Sequence, residues 1–231
     1  MFKREALRFA LLAAAALPAA AQDTRREFRP EFNLYMQADD RTRVLFRGDL
    51  QQGENVNYSQ GSVLAAVDFA LRPLFRRDLR QRGNVFRSRY LSFRIGYQYR
   101  GSFVTGGSAP EHRGIAELTG RYPLPGHIVI IDRNRGDFRF VKGQAYSSRY
   151  RNRLWVERDL KVRGIVFTPY IFGELFFDTR FDAWSTRRFA LGGQIQTGPH
   201  VVLEPYAMRQ VNTRSTPRLT EALGFKLNLF F

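Results

Sequence analysis

Residues 91–100 decide the fold, and they read Leu-Ser-Phe-Arg-Ile-Gly-Tyr-Gln-Tyr-Arg. Apolar and aromatic residues hold the odd positions, while polar residues or glycine hold the even positions. Successive side chains of a β-strand point to opposite faces of the sheet. The alternation therefore predicts a strand with one apolar, aromatic face and one polar, charged face.

The same alternation recurs along the chain and predicts an all-β fold. Turn-forming runs such as Asp39-Asp40 separate the alternating segments. Bacterial single-chain outer-membrane barrels have even strand numbers, so we expect about twelve strands, with ten as the second choice. The very basic run 72–89 remains open between a helix, a loop and part of a strand. Eleven segments are predicted as strands: 31–38, 42–51, 61–71, 89–100, 113–122, 126–139, 146–158, 163–177, 186–196, 200–210 and 219–231.

The first residues have the three parts of an export signal. Positive side chains come first, the apolar run Phe9–Leu17 follows, and alanines occupy positions 19–21. This apolar run is too short for a membrane-spanning helix, which needs roughly 20 residues. The sequence therefore predicts a secretory signal peptide over residues 1–21, cleaved after Ala21, and one exported domain over residues 22–231.

Composition limits the partners of the exported domain. The chain has 37 Lys and Arg residues against 21 Asp and Glu residues, a formal net charge of +16, and no cysteine. The missing cysteines exclude disulfides and a thiolate metal site. Export argues against nucleic acid, so the expected anions are lipid and lipopolysaccharide phosphates or anionic solutes, which suit the guanidinium fork. A high arginine content without any ligand is the alternative.

The C-terminus separates a membrane barrel from a soluble β-sandwich or lipocalin-like barrel, which would also show alternation. The chain stops in mid-pattern, with apolar residues at Leu227, Leu229 and Phe231. This ending resembles the terminal-strand signal by which barrel-assembly machinery recognises outer-membrane proteins for insertion. We therefore predict a transmembrane, antiparallel, up-and-down β-barrel in the bacterial outer membrane, in contact with lipid and lipopolysaccharide. Both termini are expected at the periplasmic end.

Charged residues on the polar faces of the strands predict a charge network in the lumen. Buried charges must pair, because an unpaired buried charge is costly. Such a network can fill and stiffen the barrel, form a selectivity ring in an anion-preferring pore, or belong to an enzyme site. The predicted members are Arg94, Glu117, Arg121, Arg149, Arg151, Arg153, Glu157, Glu174, Arg188, Glu204 and Lys226.

No catalytic or metal-binding motif stands out. His112, His127 and His200 are the three histidines, with His112 expected in a loop, and none lies in a recognisable triad or zinc-ligand pattern. Acidic residues are too dispersed for a calcium loop. We expect no catalytic residue, no metal and no cofactor.

Five stretches of the chain, in this order, carry a family resemblance. They are Arg149–Arg158, Glu174–Phe177, Arg187–Gly193, Glu204–Tyr206 and Gly224–Phe231. The order resembles a family of predicted outer-membrane proteins called domain of unknown function 2490, over Pro30 to Phe231. The resemblance implies a barrel in the outer membrane of a Gram-negative bacterium, and it implies no catalytic residues.

Three functional hypotheses follow. The first is a non-enzymatic barrel, either structural or a small porin-like passage that prefers anions. The second is an outer-membrane lipid hydrolase or acyltransferase. The third is a soluble periplasmic β-protein that binds an anionic ligand. The sequence fixes neither a solute nor an oligomeric state.

Overall fold

The computed structural model describes residues 24–54, 59–71, 86, 89–102, 109–162 and 165–231. The predicted signal peptide lies outside these residues and stays a prediction. Most of the basic run 72–89 also lies outside them. Within the described part of the chain, no helix has the length and hydropathy needed to cross a membrane.

The described chain folds into twelve β-strands, most of them 12 to 14 residues long. The predicted all-β fold is confirmed. The strands are β1 (Thr24–Gln37), β2 (Thr42–Gly53), β3 (Ser59–Leu71), β4 (Leu91–Ser102), β5 (Glu111–Leu124), β6 (Ile128–Val141), β7 (Ser147–Arg158), β8 (Leu160–Val162), β9 (Ile165–Asp178), β10 (Ala183–Gln196), β11 (Val201–Asn212) and β12 (Leu219–Phe230).

The strands close into a barrel whose ring contains eleven strands. β8 is only three residues long, and its pairing of Leu160 with Phe167 continues the register in which β7 pairs Glu157 with Tyr170. β7 and β8 therefore form one barrel strand that is interrupted at Asp159. The remaining neighbours pair in an antiparallel manner, except β1 and β12, which are parallel.

Parallel pairing of β1 with β12 allows a ring with an odd number of strands. It also places the start of β1 and the end of β12 at opposite ends of the barrel, because the two strands run in the same direction. The expectation that both ends of the barrel chain lie together is therefore wrong for Thr24 and Phe231. We call the two ends of the barrel the Thr24 end and the Phe231 end.

Tight turns at the Phe231 end explain where several strands stop. In the β1–β2 turn, Asp39 Oδ1 accepts hydrogen bonds from the backbone N–H groups of Arg41 (2.7 Å) and Thr42 (2.9 Å). The bond from Arg41 lowers the pKa of the Asp39 carboxyl below its ordinary value. In the β5–β6 turn, Gly126 and His127 have φ angles of 80° and 61°. A positive φ is accessible to glycine at little cost, which suits Gly126.

The inward and outward faces of the barrel wall have the opposite polarity to those of a soluble barrel. Apolar side chains point outward, and Ile95, Leu191 and Leu223 are 52%, 56% and 67% exposed. Charged side chains point inward, and Asp137 and Glu174 are 0% and 2% exposed. The burial patterns of β5 and β9 alternate over most of their length, as their sequences do, so the strand period of two sets both faces.

Inward glycines make room for aromatic rings inside the barrel. A Cβ on Gly224 would lie 2.0 Å from the ring of Tyr206, and one on Gly192 would lie 2.6 Å from the hydroxyl of Tyr170. Each tyrosine ring therefore lies across its neighbouring strand at a position where only glycine fits. Gly192 therefore marks a site of close packing within β10.

Candidate functional site: the charged lumen

The lumen contains more cations than carboxylates. Among the described strand positions, sixteen inward cations line its cavities, and eleven inward carboxylates line them or bind those cations, so the surplus is five. The cations are Arg25, Arg29, Arg43, Arg47, Arg94, Arg100, Arg113, Arg121, Arg133, Arg135, Arg139, Arg149, Arg151, Arg153, Arg188 and Lys226. The carboxylates are Glu27, Glu31, Asp49, Asp68, Glu111, Glu117, Asp137, Glu157, Glu174, Asp178 and Glu204.

Glu174 on β9 is the most heavily shared carboxylate. Arg151, Arg153 and Arg188 approach its oxygens at 2.8, 2.9 and 3.1 Å, and Arg133 at 3.5 Å. These arginines come from β6, β7 and β10, so one carboxylate links three strands to β9. Because hydrogen-bonded ion pairs are strong only where geometry is fixed, this cluster stiffens the middle of the wall.

Asp178 forms a second shared centre where β9 ends. Arg149 and Arg180 lie 2.9 and 2.8 Å from Asp178 Oδ2, and Arg139 lies 3.3 Å from the same atom. Arg180 belongs to the β9–β10 turn, and its hydrogen bonds to Asp178 raise the pKa of its guanidinium. One carboxylate thus serves three cations at the Thr24 end.

Toward the Phe231 end, the carboxylates Asp68 and Glu204 bind two cations and one cation, respectively. Asp68 accepts from Arg43 at 2.6 Å and from Arg94 at 2.5 Å. Glu204 lies 2.5 Å from Lys226 Nζ and accepts a hydrogen bond from the hydroxyl of Tyr170 at 2.7 Å. Local charge is therefore closer to balance in this part of the lumen.

Inside the barrel, guanidinium groups of several arginines lie over the faces of aromatic rings. Arg151 and Arg188 lie over the ring of Phe176, at 4.6 and 4.9 Å from its centroid. Arg153 lies 3.9 Å from the centroid of Phe172. Cation–π contacts of this kind hold a guanidinium in place without neutralising its charge.

Three cavities follow one another along the lumen. The Thr24-end cavity has a volume of about 440 Å³, the central cavity about 200 Å³ and the Phe231-end cavity about 190 Å³. Neighbouring cavities share wall residues, so side chains constrict the bore at two levels. Among the described residues, the lumen is a series of three small cavities rather than one wide channel.

At the Phe231 end, an aromatic ring packs against an arginine side chain. Phe86, which is 1% exposed, lies in the link between β3 and β4 and lines this cavity. The guanidinium of Arg43 lies between the rings of Phe86 and Tyr35, at 4.2 and 4.3 Å from their centroids. This sandwich narrows the Phe231 end.

The structure places the side chains of all eleven predicted network residues inside the barrel. Nine of them form ion pairs there: Arg94, Glu117, Arg149, Arg151, Arg153, Glu174, Arg188, Glu204 and Lys226. Arg121 donates a hydrogen bond to the hydroxyl of Ser92 at 3.1 Å, and Glu157 accepts one from the indole of Trp155 at 3.0 Å.

The C-terminal residues Leu227, Leu229 and Phe231 point to the outside of the barrel. The backbone of Phe231 is tied to β1, since its N–H donates to Tyr35 at 2.8 Å and its carbonyl accepts from Gln37 at 2.6 Å. The geometry places these side chains on the outward face. Their role as an insertion signal stays a prediction.

The three histidines lie apart from one another and outside the lumen. His112 belongs to β5 rather than to a loop, points outward and contacts the hydroxyl of Tyr97. His127 lies in a turn, and His200 is stacked on Phe231 with ring centroids 5.4 Å apart. Among the described residues, no three His, Asp or Glu side chains come together in the way a metal ion requires.

Two features were missed by the sequence reasoning. The first is the set of lumen aspartates, including Asp68, Asp137 and Asp178, which the polar parity of their strands could have revealed. The second is an outward polar cluster: Asn152 donates to Asp132 at 2.8 Å and to Asn134 at 3.0 Å. Asn152 lies on β7 on the same face as Leu154, and its polar partners lie on β6.

A comparison with known families identifies the family of the chain. Residues 24–221 match the family described as Protein of unknown function (DUF2490), and the chain belongs to that family. The resemblance drawn from the sequence is thereby confirmed as to the family. No curated protein shows a significant match to the chain. The family has no assigned activity, so family membership adds no specific function to the β-barrel fold.

Proposed function

We propose that this protein is a non-enzymatic barrel of the bacterial outer membrane, and that its lumen is a narrow passage that prefers anions. One observation carries the proposal: large apolar side chains dominate the outward face, while the described inward strand positions carry a surplus of five cations. A soluble barrel would place these two faces the other way round.

The outer surface supports the membrane location. Strands of 12 to 14 residues exceed the roughly 9–11 residues that a tilted strand needs to cross the hydrocarbon. A closed ring leaves no strand edge without hydrogen-bond partners, which hydrocarbon demands. Toward the Thr24 end, Trp184 contacts Phe177 and Tyr150, with ring centroids 5.7 and 6.2 Å apart. Aromatic clusters of this kind are typical of membrane interfaces.

The inner surface supports the preference for anions. Arginine stays charged at every physiological pH, and charged side chains that line a pore determine which ions enter. The cavities are small, so any passage admits small solutes and ions rather than polymers. Partners expected on this account are outer-membrane lipid, lipopolysaccharide and the assembly machinery that inserts barrels.

Planar-bilayer recording of the purified protein tests the passage. We expect small, stable conductance steps, and a reversal potential in a KCl gradient that indicates chloride preference. Cation preference would contradict the proposal, and the absence of conductance would leave the barrel structural.

Cell fractionation tests the location. We expect the protein in the outer-membrane fraction, with a mature N-terminus at Gln22. Recovery as a soluble periplasmic protein would contradict the membrane location and favour the soluble anion-binding hypothesis.

A further inference from the structure

The wall between the Thr24-end and central cavities has an unusual composition. Six residues line both cavities and therefore form the constriction between them. They are Arg29, Gln51, Arg100, Arg149, Phe176 and Arg188, and we call this set the arginine girdle. It contains four guanidinium groups, one amide, one aromatic ring and no carboxylate.

The four arginines of the girdle surround the bore. They come from β1, β4, β7 and β10, and successive members are two or three strands apart around the eleven-strand ring. A solute that moves between the two cavities therefore meets guanidinium groups from every side. The second constriction, between the central and Phe231-end cavities, differs because it includes the carboxylate of Glu31.

Two girdle arginines are held by carboxylates while keeping donors available. Arg29 binds Glu27 through Nε (2.7 Å) and Nη2 (2.6 Å), and its Nη1 contacts the sulfur of Met208 at 3.7 Å. Arg149 binds Asp178 through Nε and Nη2, and its Nη1 has no hydrogen-bond partner among the described residues. The guanidinium fork is thus fixed from one side only.

Side-chain amides bind the other two arginines. Arg100 donates to Gln51 at 2.7 Å, and Arg188 donates to Gln210 at 2.6 and 3.0 Å. Arg188 also lies 3.1 Å from Glu174, a carboxylate that three further arginines share. Glu174 therefore compensates the charge of Arg188 only in part.

We propose that the arginine girdle binds a phosphate group, and that the Thr24-end cavity holds the rest of a small phosphate-bearing solute. Preorganised guanidinium groups match the multivalent, several-acceptor geometry of phosphate better than that of chloride. The cavity of about 440 Å³ falls within the roughly 300–1,000 Å³ of small-molecule sites. Its wall carries seven arginines and two glutamates, which favours anionic ligands.

This inference deepens the proposed function, since it names the solute class of the anion passage. The two claims can still fail separately. Binding is measured on the protein in detergent, where no passage is needed, whereas passage is measured as conductance. Phosphate binding without conductance would overturn the passage and keep the girdle.

The test uses calorimetric titration of the full chain in detergent with inorganic phosphate, glycerol phosphate and chloride at matched ionic strength. The girdle variant is Arg100→Gln with Arg149→Gln. Asp178 keeps Arg139 and Arg180 as partners in that variant, so the barrel retains a paired carboxylate. Arg121→Gln is the matched control, because it removes a lumen arginine near the Phe231 end.

We expect phosphate to bind more tightly than chloride, and the girdle variant to lose about tenfold or more in phosphate affinity. The control should stay within about twofold of the parent, as for a site that it does not touch. Equal binding of chloride and phosphate, or equal losses in the girdle variant and the control, would overturn the proposal.

A second variant keeps the proposal testable if the glutamine substitutions prevent folding. Lysine at positions 100 and 149 preserves the charge but removes the planar fork. We expect this variant to fold and to lose phosphate affinity while the chloride preference of the lumen remains. Vesicles containing lipopolysaccharide form the last arm. Binding to them that soluble phosphate displaces, and that the girdle variant loses, would assign the girdle to a lipid headgroup instead of a free solute.

Discussion

The cavities at the two ends of the lumen carry the same number of cations but different numbers of carboxylates. Each wall has seven Arg or Lys side chains, while the Thr24-end wall has two carboxylates and the Phe231-end wall has four. The Thr24-end cavity is also the larger, at about 440 Å³ against about 190 Å³. Among the described residues, the two ends therefore differ in the number and placement of carboxylates rather than in the number of cations.

Pairing explains why a barrel tolerates so many buried arginines. At the Phe231 end, two arginines share Asp68, Lys226 alone pairs with Glu204, and Phe86 covers Arg43. At the Thr24 end, Asp178 is divided among three arginines. The proposed solute site therefore lies at the end where more cations share each carboxylate.

The largest expected effect comes from removing the carboxylate that four arginines share. Glu174→Gln should destabilise the barrel by about 3–5 kcal/mol, because it leaves buried charges unpaired. Urea unfolding in lipid vesicles measures the change. The control is Glu221→Gln, whose nearest arginines lie 3.9 and 4.0 Å away on the exposed side, with an expected change below about 1 kcal/mol. Equal effects would contradict the account of the network.

The next effect tests the narrowed Phe231 end. Phe86→Ala should remove the ring that covers Arg43, at a stability cost of about 3 kcal/mol for a buried aromatic side chain. Conductance in planar bilayers should rise, and anion preference should remain because the girdle is intact. An unchanged conductance would show that Phe86 does not narrow the passage.

A smaller effect tests the packing between the central cavity and the wall. Gly224→Ala should force the ring of Tyr206 from its place, since the added Cβ would lie 2.0 Å from it. We expect a loss of about 1–3 kcal/mol, typical of overpacking. Gly48→Ala is the matched control, because nothing lies within 4 Å of its added Cβ. Similar losses in both variants would refute the steric explanation.

The smallest expected effect comes from a substitution on the outward face of the barrel, outside the cavities of the lumen. Asp132→Asn keeps the shape of the outward polar cluster while removing a charge from the face assigned to lipid. We expect a stabilisation of about 1 kcal/mol, since acidic residues on a lipid face are mildly unfavourable. Conductance should not change. A clear loss of stability would mean that the Asp132 charge has a partner on this face.

Alternation along the strands predicted most of the fold. Arg149, Arg151 and Arg153 occupy alternate positions of one strand. They were predicted to point inward because successive strand side chains point to opposite faces. The eleven alternating segments correspond to the eleven strands of the ring. Expecting twelve followed the even-number rule, and the twelfth strand is the short β8 that continues β7.

Long-range pairing explains what alternation left out. The parallel contact of β1 with β12 joins residues about two hundred positions apart in sequence, and a local period carries no information about it. β1 starts at Thr24, whereas the predicted strand starts at residue 31. The part of β1 before residue 31 contains Arg25, Glu27 and Arg29, which are polar residues that face the lumen. The cavities depend on side-chain shapes and ion-pair partners across strands, which the sequence does not encode locally.

The central claim is the inverted orientation of the barrel wall in lipid, and its two tryptophans report on it directly. Trp184 is 52% exposed on the outside, whereas Trp155 faces the lumen and stacks on Tyr170, with ring centroids 3.9 Å apart. Fluorescence quenching by brominated lipid should be measured on Trp155→Phe and Trp184→Phe in vesicles. We predict strong quenching of Trp184 and little of Trp155; stronger quenching of Trp155, or none of either, would contradict the account.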